Sequence, residues 1–308
     1  MVQENAKIWF NGKLVPWGEA NVHVLTHALH YGTAVFEGIR AYKCVDGRSA
    51  VFRLKEHAER LVESGKILGL PVPYSSEEIA DAIIETLQAN KLDAAYIRPL
   101  VFVGEGGMGV HPGKNPMHTC IAAWEWGAYL GEDALAKGIR IKTSTFTRHH
   151  VNIMMTKAKA SGNYVNSVLA KMEAVADGYD EAMMLDPDGY VSEGSGENLF
   201  IVTKSGALKT APLTSVLAGI TRDSVMTMAR DMGYEVLEQR FTRDELYTAP
   251  EAFFTGTAAE LTPIRECDNR VIGKGKAGEV ALNLQKEFFN VVTGANPKYS
   301  DWLHYYEV

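Results

Sequence analysis

Cysteine is scarce in this chain: three in 308 residues, at Cys44, Cys120 and Cys267, far apart and without a Cys-x-x-Cys pair. That spacing excludes a disulfide framework and a zinc-ligand pattern, and it fits a reducing, cytoplasmic compartment. No metal is expected. No apolar run approaches the ~18 residues that crossing a bilayer needs, so no membrane partner is expected either. The opening Met-Val-Gln-Glu-Asn-Ala-Lys-Ile-Trp-Phe has neither a basic start nor an apolar signal core. Positive charge is short as well. The 31 Lys and Arg face 38 Asp and Glu, a net charge of −7, which argues against a nucleic-acid or anionic-membrane surface. Internal repeats and low-complexity segments are missing. What remains is length enough for about two domains.

Local pattern gives the first half a mixed character. Ile8-Trp9-Phe10, Asn11-Gly12 and Lys13-Leu14-Val15 read as strand, tight turn and strand. Further strands are predicted over 35–42, 50–53, 95–103 and 119–126. Residues 54–68 form an amphipathic helix with Leu54, Ala58, Leu61, Ile67 and Leu68 apolar. Ser75 and Glu78 make a capping box ahead of a second helix. The stretch 126–136, mixed in glycine, aromatics and charge, reads as a connector. Beyond it, strands are predicted over 139–142, 199–202, 234–237 and 252–254. Helices are predicted over 164–176, 221–232 and 278–292. The first of these carries Val165, Val168, Leu169, Met172 and Val175 on one apolar face, and Asp186-Pro187-Asp188-Gly189 turns between two short strands. No regular βαβ rhythm is present. The reading is α+β, with a smaller domain over 1–125 and a larger barrel-like or sandwich domain over 137–308, not a doubly wound sheet.

Chemistry concentrates in a few segments. Lys159 sits in Thr-Lys-Ala-Lys-Ala-Ser-Gly-Asn-Tyr (156–164), among side chains small enough for a planar partner to approach its amine. Such an amine can form a Schiff base with an aldehyde cofactor; a solvated lysine has the same local pattern. Ala218-Gly219-Ile220-Thr221-Arg222-Asp223 opens a helix, with Thr221 as its expected N-cap, and a helix start attracts phosphate. Thr255-Gly256-Thr257-Ala258-Ala259-Glu260 leaves amides and hydroxyls at a strand end, suited to a phosphate or carboxylate or to a tightly packed turn. Ser192-Glu193-Gly194-Ser195-Gly196-Glu197-Asn198 offers a carboxylate beside glycines, where a flat heterocycle could approach. Tyr96 and Arg98 share one strand face by period two and together would receive a carboxylate. The segment 30–40 mixes aromatics, glycines and apolar groups, as a side-chain pocket does. Each pattern alone also fits ordinary structure; one ligand would explain them all.

In combination these segments resemble a family. Tyr-Gly-Thr-Ala-Val-Phe-Glu-Gly-Ile-Arg, Ala-Tyr-Ile-Arg-Pro, Lys-Ala-Ser-Gly-Asn-Tyr, Glu-Gly-Ser-Gly-Glu-Asn-Leu-Phe, Gly-Ile-Thr-Arg and Gly-Thr-Ala-Ala-Glu are similar to the fold-type IV pyridoxal-phosphate aminotransferases, and within them to the bacterial branched-chain amino acid aminotransferases. The likeness runs from about Ile8 to beyond Phe288. It implies a D-amino acid aminotransferase-like fold: a small α/β sandwich-like N-terminal domain, an interdomain loop at 126–136 and a larger pseudo-barrel domain over 137–308.

The resemblance also implies roles. Lys159, not Lys157, would bind pyridoxal 5'-phosphate, a choice that spacing alone leaves open. Tyr164 would meet the phenolate oxygen and Glu193 the ring nitrogen. Arg60, the amides of Ile220 and Thr221, and Thr257 would hold the phosphate, with Gly219 and Gly256 beside it and Leu217 on the ring face. The substrate α-carboxylate would meet Tyr96 and the Thr257-Ala258 backbone. Phe36, Trp126, Tyr129 and Tyr164 would line the side-chain pocket, completed by Tyr31, Met108 and Val110 of a second subunit. Arg98 with Tyr31 would take the distal carboxylate of glutamate. The implied activity is ping-pong transamination between L-leucine, L-isoleucine or L-valine and 2-oxoglutarate, by a homodimer or a trimer of dimers. A D-amino acid or (R)-amine transaminase and an aminodeoxychorismate lyase share the cofactor residues. Two departures stand out: Ala218 where relatives often carry proline, and a less family-like region at 111–118.

Overall fold

The computed structural model describes residues 6–127 and 131–308; Tyr129, in the expected connector, lies outside the described residues. The chain parts into two units. One is Met1–Trp126 with Ala158–Asn163 and Asn290–Val308, and the other is Gly127–Lys157 with Tyr164–Phe289. The span 137–308, expected as one domain, thus contributes two segments to the first unit. Pairing across long sequence separations decides this. Val35 bridges Ala160, and Leu303–Tyr306 runs antiparallel to Ser49–Phe52.

The first unit is built on an eight-stranded sheet. Its opening hairpin, Lys7–Phe10 with Lys13–Pro16, turns on Asn11 and Gly12 at φ 49 and 90, the left-handed pair a two-residue turn requires. The strand expected over 35–42 is two strands, Ala34–Phe36 and Ile39–Lys43, both antiparallel to Ala95–Val103. The break is at Glu37-Gly38, where a fully buried carboxylate turns to Arg60 and His57, described below. Helices Leu54–Leu68 and Ser76–Ala89 pack on the sheet. Ser75 accepts from the Glu78 N–H while Glu78 accepts from Ser75 at 2.7 Å, so two donors of the helix start are satisfied. Leu61, Ile83, Leu87, Ile97, Val101 and Ile121 are fully buried together, each worth about 1.5–3 kcal/mol of transfer free energy.

The second unit holds a nine-stranded sheet. Val191–Gly194, Glu181–Leu185, Ile139–Thr143, Glu260–Cys267, Glu251–Gly256 and Asn198–Val202 pair in that order, and Val191–Gly194 pairs again with Asn198–Val202, closing a ring. The barrel-like expectation corresponds to this closure. Two corrections concern its helices. Helix Ile220–Asp231 is capped by Gly219 with no side-chain bond, so Thr221 lies inside the first turn and is buried, not the N-cap. Helix Tyr164–Ala176 has the expected bounds, yet Val165, Val168, Leu169, Met172 and Val175 are all exposed. The face that packs is the small one, Ser167, Ala170 and Ala174, which lets the backbone approach Ala182 and Met184 closely. Among the described residues no helix is long and apolar enough to cross a membrane.

Candidate active site

The expected site residues fall into two groups, one in each unit. In the first unit the anchor is the segment Ala158–Asn163. Lys159 donates its backbone N–H to Ser64 Oγ (3.0 Å) and accepts at its carbonyl from Phe36 N (3.0 Å). Gly162 donates to the Gly32 carbonyl at 3.1 Å, and a Cβ on Gly32 would stand 2.8 Å from Gly162 Cα, so only glycine allows this approach. Thus fixed, Lys159 is half-buried with Nζ 4.9 Å from the centre of the Phe36 ring, whereas Lys157 is exposed. The two lysines, alike in spacing, differ in burial.

Helix Leu54–Leu68 presents His57, Arg60 and Ser64 at helical spacing on one face. Arg60 grips Glu37 in a bidentate pair, Nε to Oε1 at 2.7 Å and Nη2 to Oε2 at 2.9 Å. His57 Nδ1 lies 2.7 Å from Glu37 Oε2. Burial works to raise the Glu37 carboxyl, but the charge of Arg60 and the hydrogen bonds from Arg60 and His57 outweigh it and hold it well below the usual carboxylate range. Burial lowers His57, more than Glu37 raises it. The neutral ring therefore donates from Nδ1 to an ionised carboxylate.

Tyr96 and Arg98 do share a strand face. Arg98 Nη2 donates to the Tyr96 hydroxyl at 3.0 Å, and the guanidinium carbon lies 4.9 Å from the Phe36 ring centre. Arg98 Nε is buried with no hydrogen-bond partner among the described residues. Tyr96 also packs edge-on against Trp126, centroids 4.5 Å apart. These contacts bring Phe36, Tyr96, Arg98, Trp126 and Lys159 into one cluster. Tyr31 donates to the Met108 carbonyl at 2.8 Å, and Tyr31 and Val110 are exposed, so Tyr31, Met108 and Val110 gather at the surface of this unit.

In the second unit sheet register does the gathering. Glu193 stands opposite Asn198, and Asn198 opposite Thr255. The acidic loop and the Thr255–Ala258 strand end therefore become neighbours. Asn198 Nδ2 donates to Glu193 Oε2 (3.3 Å) and to the Leu217 carbonyl (3.0 Å), and Leu217 N–H donates to Glu193 Oε2 at 3.1 Å. A Cβ on Gly219 would fall 2.0 Å from Asn198 Oδ1, so glycine is required where the phosphate-type turn meets this network. Gly256 ends its strand and Thr257 and Ala258 follow in the turn, all three half-buried, and Tyr164 opens its helix half-buried. Ile220 and Thr221 form the first turn of a helix that no side chain caps, the arrangement that binds an anion.

Several supporting residues carried no signal in the sequence reading: Glu37, His57, Ser64, Arg148 and Asn198. His57, Arg60 and Ser64 could have been grouped by their three- and four-residue spacing. Glu37 and Asn198 lie inside motifs that were quoted for other residues.

The amino-transferase class IV family profile matches residues 34–267. A branched-chain-amino-acid aminotransferase of Pseudomonas aeruginosa is 53% identical over 302 residues, 98% of each chain. The crystal structure of a T.th. branched-chain amino acid aminotransferase with pyridoxamine 5'-phosphate superposes with a TM-score of 0.95 at 53% identity, over 99% of each chain. The same T.th. enzyme complexed with N-(5'-phosphopyridoxyl)-L-glutamate gives 0.94 at 52%, over 98% of this chain and 99% of that one.

Proposed function

The chain belongs to the class IV aminotransferases, and we propose that Lys159 is the residue on which its chemistry turns. Its activity is pyridoxal-phosphate-dependent transamination of branched-chain amino acids. The observation that carries the proposal is the state of Lys159: half-buried over Phe36, with backbone bonds to Ser64 and Phe36. A lysine merely seeking water would resemble exposed Lys157.

The residues present fit the cofactor's groups: an amine for its aldehyde, a guanidinium and uncapped helix amides for its phosphate, a buried carboxylate for its ring nitrogen. Bound pyridoxal phosphate supplies an electrophilic carbon and a ring that draws electrons from the substrate α-carbon. With the cofactor bound, Lys159 Nζ would give way to the substrate amine, take the α-proton and return it to the cofactor carbon two bonds away. Arg60, the Ile220 and Thr221 amides and Thr257 hold the phosphate, with Gly219 and Gly256 leaving room for it. Tyr164 meets the phenolate oxygen, Glu193 the ring nitrogen, and Leu217 a ring face. Arg60 reaches its target already oriented, because Glu37 fixes two of its nitrogens.

Two substrates of unlike polarity use the site in turn. Tyr96 and the Thr257-Ala258 amides take the α-carboxylate, and Phe36, Trp126, Tyr129 and Tyr164 the branched side chain. The buried, unpartnered Nε of Arg98 favours a carboxylate there, the distal group of glutamate or 2-oxoglutarate, in a ping-pong cycle. The phosphopyridoxyl-glutamate held by the T.th. enzyme supports this choice. Exposed Tyr31 and Val110, and an apolar groove of about 560 Å³ lined by Phe10, Trp17, Val22, Leu29, Leu100 and Phe102 of the first unit, support a homodimer at least, in which those residues serve the partner's pocket. We place the enzyme in the cytoplasm, in branched-chain amino acid metabolism.

The test is Lys159→Ala. It should abolish transamination while circular dichroism and thermal unfolding stay near wild type; near-wild-type turnover would sink the assignment. A half-reaction panel with L-leucine, D-alanine and (R)-phenylethylamine, followed by cofactor absorbance, separates this reading from the D-amino acid and (R)-amine transaminases.

A further inference from the structure

Next to Glu193 lies a buried cation that none of these roles uses. Arg148 is buried, and its N–H donates to the Leu185 carbonyl at 2.8 Å. Its Nε stands 3.1 Å from Glu193 Oε1. Nη2 donates to the Gly194 carbonyl at 2.7 Å, and Nη1 to Ser167 Oγ at 3.0 Å and Asn166 Oδ1 at 3.2 Å. All of these residues belong to one unit. Three hydrogen bonds to two elements, strand Val191–Gly194 and helix Tyr164–Ala176, hold the guanidinium against Glu193.

The surrounding charges make Arg148 the counter-ion of Glu193. Glu181 is taken by Lys171, Nζ to Oε2 at 2.7 Å. Glu197, whose Oε2 accepts from Gly196 N at 3.0 Å, has its carboxyl pushed up to about 8, by burial first and by the charge of Glu181 next. Its neutral form is thereby favoured, and its Oε2 is taken by the Gly196 N–H. Glu193 Oε2 meanwhile takes the Leu217 and Asn198 donors, leaving Oε1 beside Arg148.

We propose that Arg148 is a positioning residue for the transamination: it holds Glu193 as an oriented carboxylate, so that the proton shared with the cofactor's ring nitrogen stays on the ring. The proposal rests on the reading of Glu193 as the partner of that nitrogen. A carboxyl buried without a cation tends to take up a proton. It would then face the ring as a neutral acid, and the ring would lose the positive charge that makes it electron-withdrawing. With a fixed guanidinium beside it the carboxylate is the weaker base, and the proton goes to nitrogen.

The experiment is nitrogen-15 NMR of the holoenzyme reconstituted with ring-labelled pyridoxal phosphate, alongside kinetics with L-leucine. Arg148→Gln should move the ring signal from the protonated range towards neutral pyridine and lower kcat about 10- to 100-fold, as loss of a supporting partner does, with little change in KM. Arg148→Lys should restore most of the signal. A ring that stays protonated with wild-type turnover in Arg148→Gln overturns the proposal. Glu193→Gln tests the reading beneath it. If that variant leaves the ring signal unmoved, the Glu193 assignment itself falls; if it moves the signal and Arg148→Gln does not, only the role of Arg148 falls. Should Arg148→Gln fail to fold, the double variant Glu193→Gln/Arg148→Gln buries no unpaired charge. It should match Glu193→Gln in signal and turnover, and a further drop in either would show that Arg148 acts by another route.

Discussion

Replacing Glu37 by Gln removes one charge from a site with no water to replace it. Glu37 is fully buried and the Arg60 side chain is 12% exposed, so the substitution leaves a guanidinium with one good acceptor where it had two. Breaking a buried pair from one side costs about 3–5 kcal/mol. The carbonyl that Gln retains keeps one bond to Arg60, which places the expected loss near the low end, about 3 kcal/mol. For a chain of this size that lowers Tm by about 4–5 °C. The assay is thermal unfolding of the apoenzyme at pH 7, so that cofactor affinity does not enter. Arg60→Met and the double variant complete the cycle. The double variant should recover about 2 kcal/mol or more of the summed losses, because removing both partners buries no unpaired charge. The sign with pH is also fixed. The native carboxyl lies below its ordinary 4.5, so its contribution is present above that pH and disappears as pH falls through the depressed native value. The gap between wild type and Glu37→Gln should therefore narrow on acidification below about 4. A Tm within a degree of wild type at pH 7, or strict additivity in the cycle, would refute the reasoning.

Two further outcomes are expected. Arg98→Ala should lower kcat/KM for L-glutamate and 2-oxoglutarate about 10- to 100-fold more than for L-leucine, the worth of charge-assisted bonds to one carboxylate; steady-state kinetics with each substrate decides, and equal losses would make Arg98 structural. Glu197 is raised in the native state to about 8, so it contributes stability at low pH that is lost as pH rises through that value. Glu197→Gln, an isostere of the protonated form, should flatten the decline in Tm between about pH 5 and pH 8, the interval from the ordinary carboxyl value of 4.5 to the raised native one, and an unchanged slope would show that Glu197 is ionised throughout.

The parts of the fold legible in the sequence are those whose signals are local. Leu54–Leu68 and Tyr164–Ala176 were readable to their ends because periodicity runs the whole length, and a capping box marked the start of Ser76–Ala89. Strands such as Glu260–Cys267 and Leu303–Tyr306 were not, since their partners lie far away in sequence. Periodicity also reports that a helix face is apolar without saying what covers it. In Tyr164–Ala176 the large residues are exposed and the alanines pack. In the site, Lys159, Glu193, Tyr96 and Arg98 stood out by the chemistry of their local pattern, whereas Arg60, Tyr164 and Leu217 came only through the resemblance. Their supports were not legible: Arg148 lies 45 residues from Glu193 and Glu37 lies 23 from Arg60, and neither distance leaves a mark on local pattern.

Those supports share one arrangement. Arg60 and Glu193, both read as cofactor contacts, are each held by a buried ion of opposite sign, Glu37 in one unit and Arg148 in the other. A buried ion pair is poor value as a source of stability, because an apolar pair of similar volume often holds a fold as well or better. What an apolar pair cannot do is present a charge at a fixed angle to a ligand. Glu37 takes two Arg60 nitrogens at once, and Arg148 is fixed by Gly194, Ser167 and Asn166 before it meets Glu193. Each pair thus determines a direction as well as a charge. Substituting both members of either pair by apolar residues should therefore leave a stable protein with a weakened cofactor site.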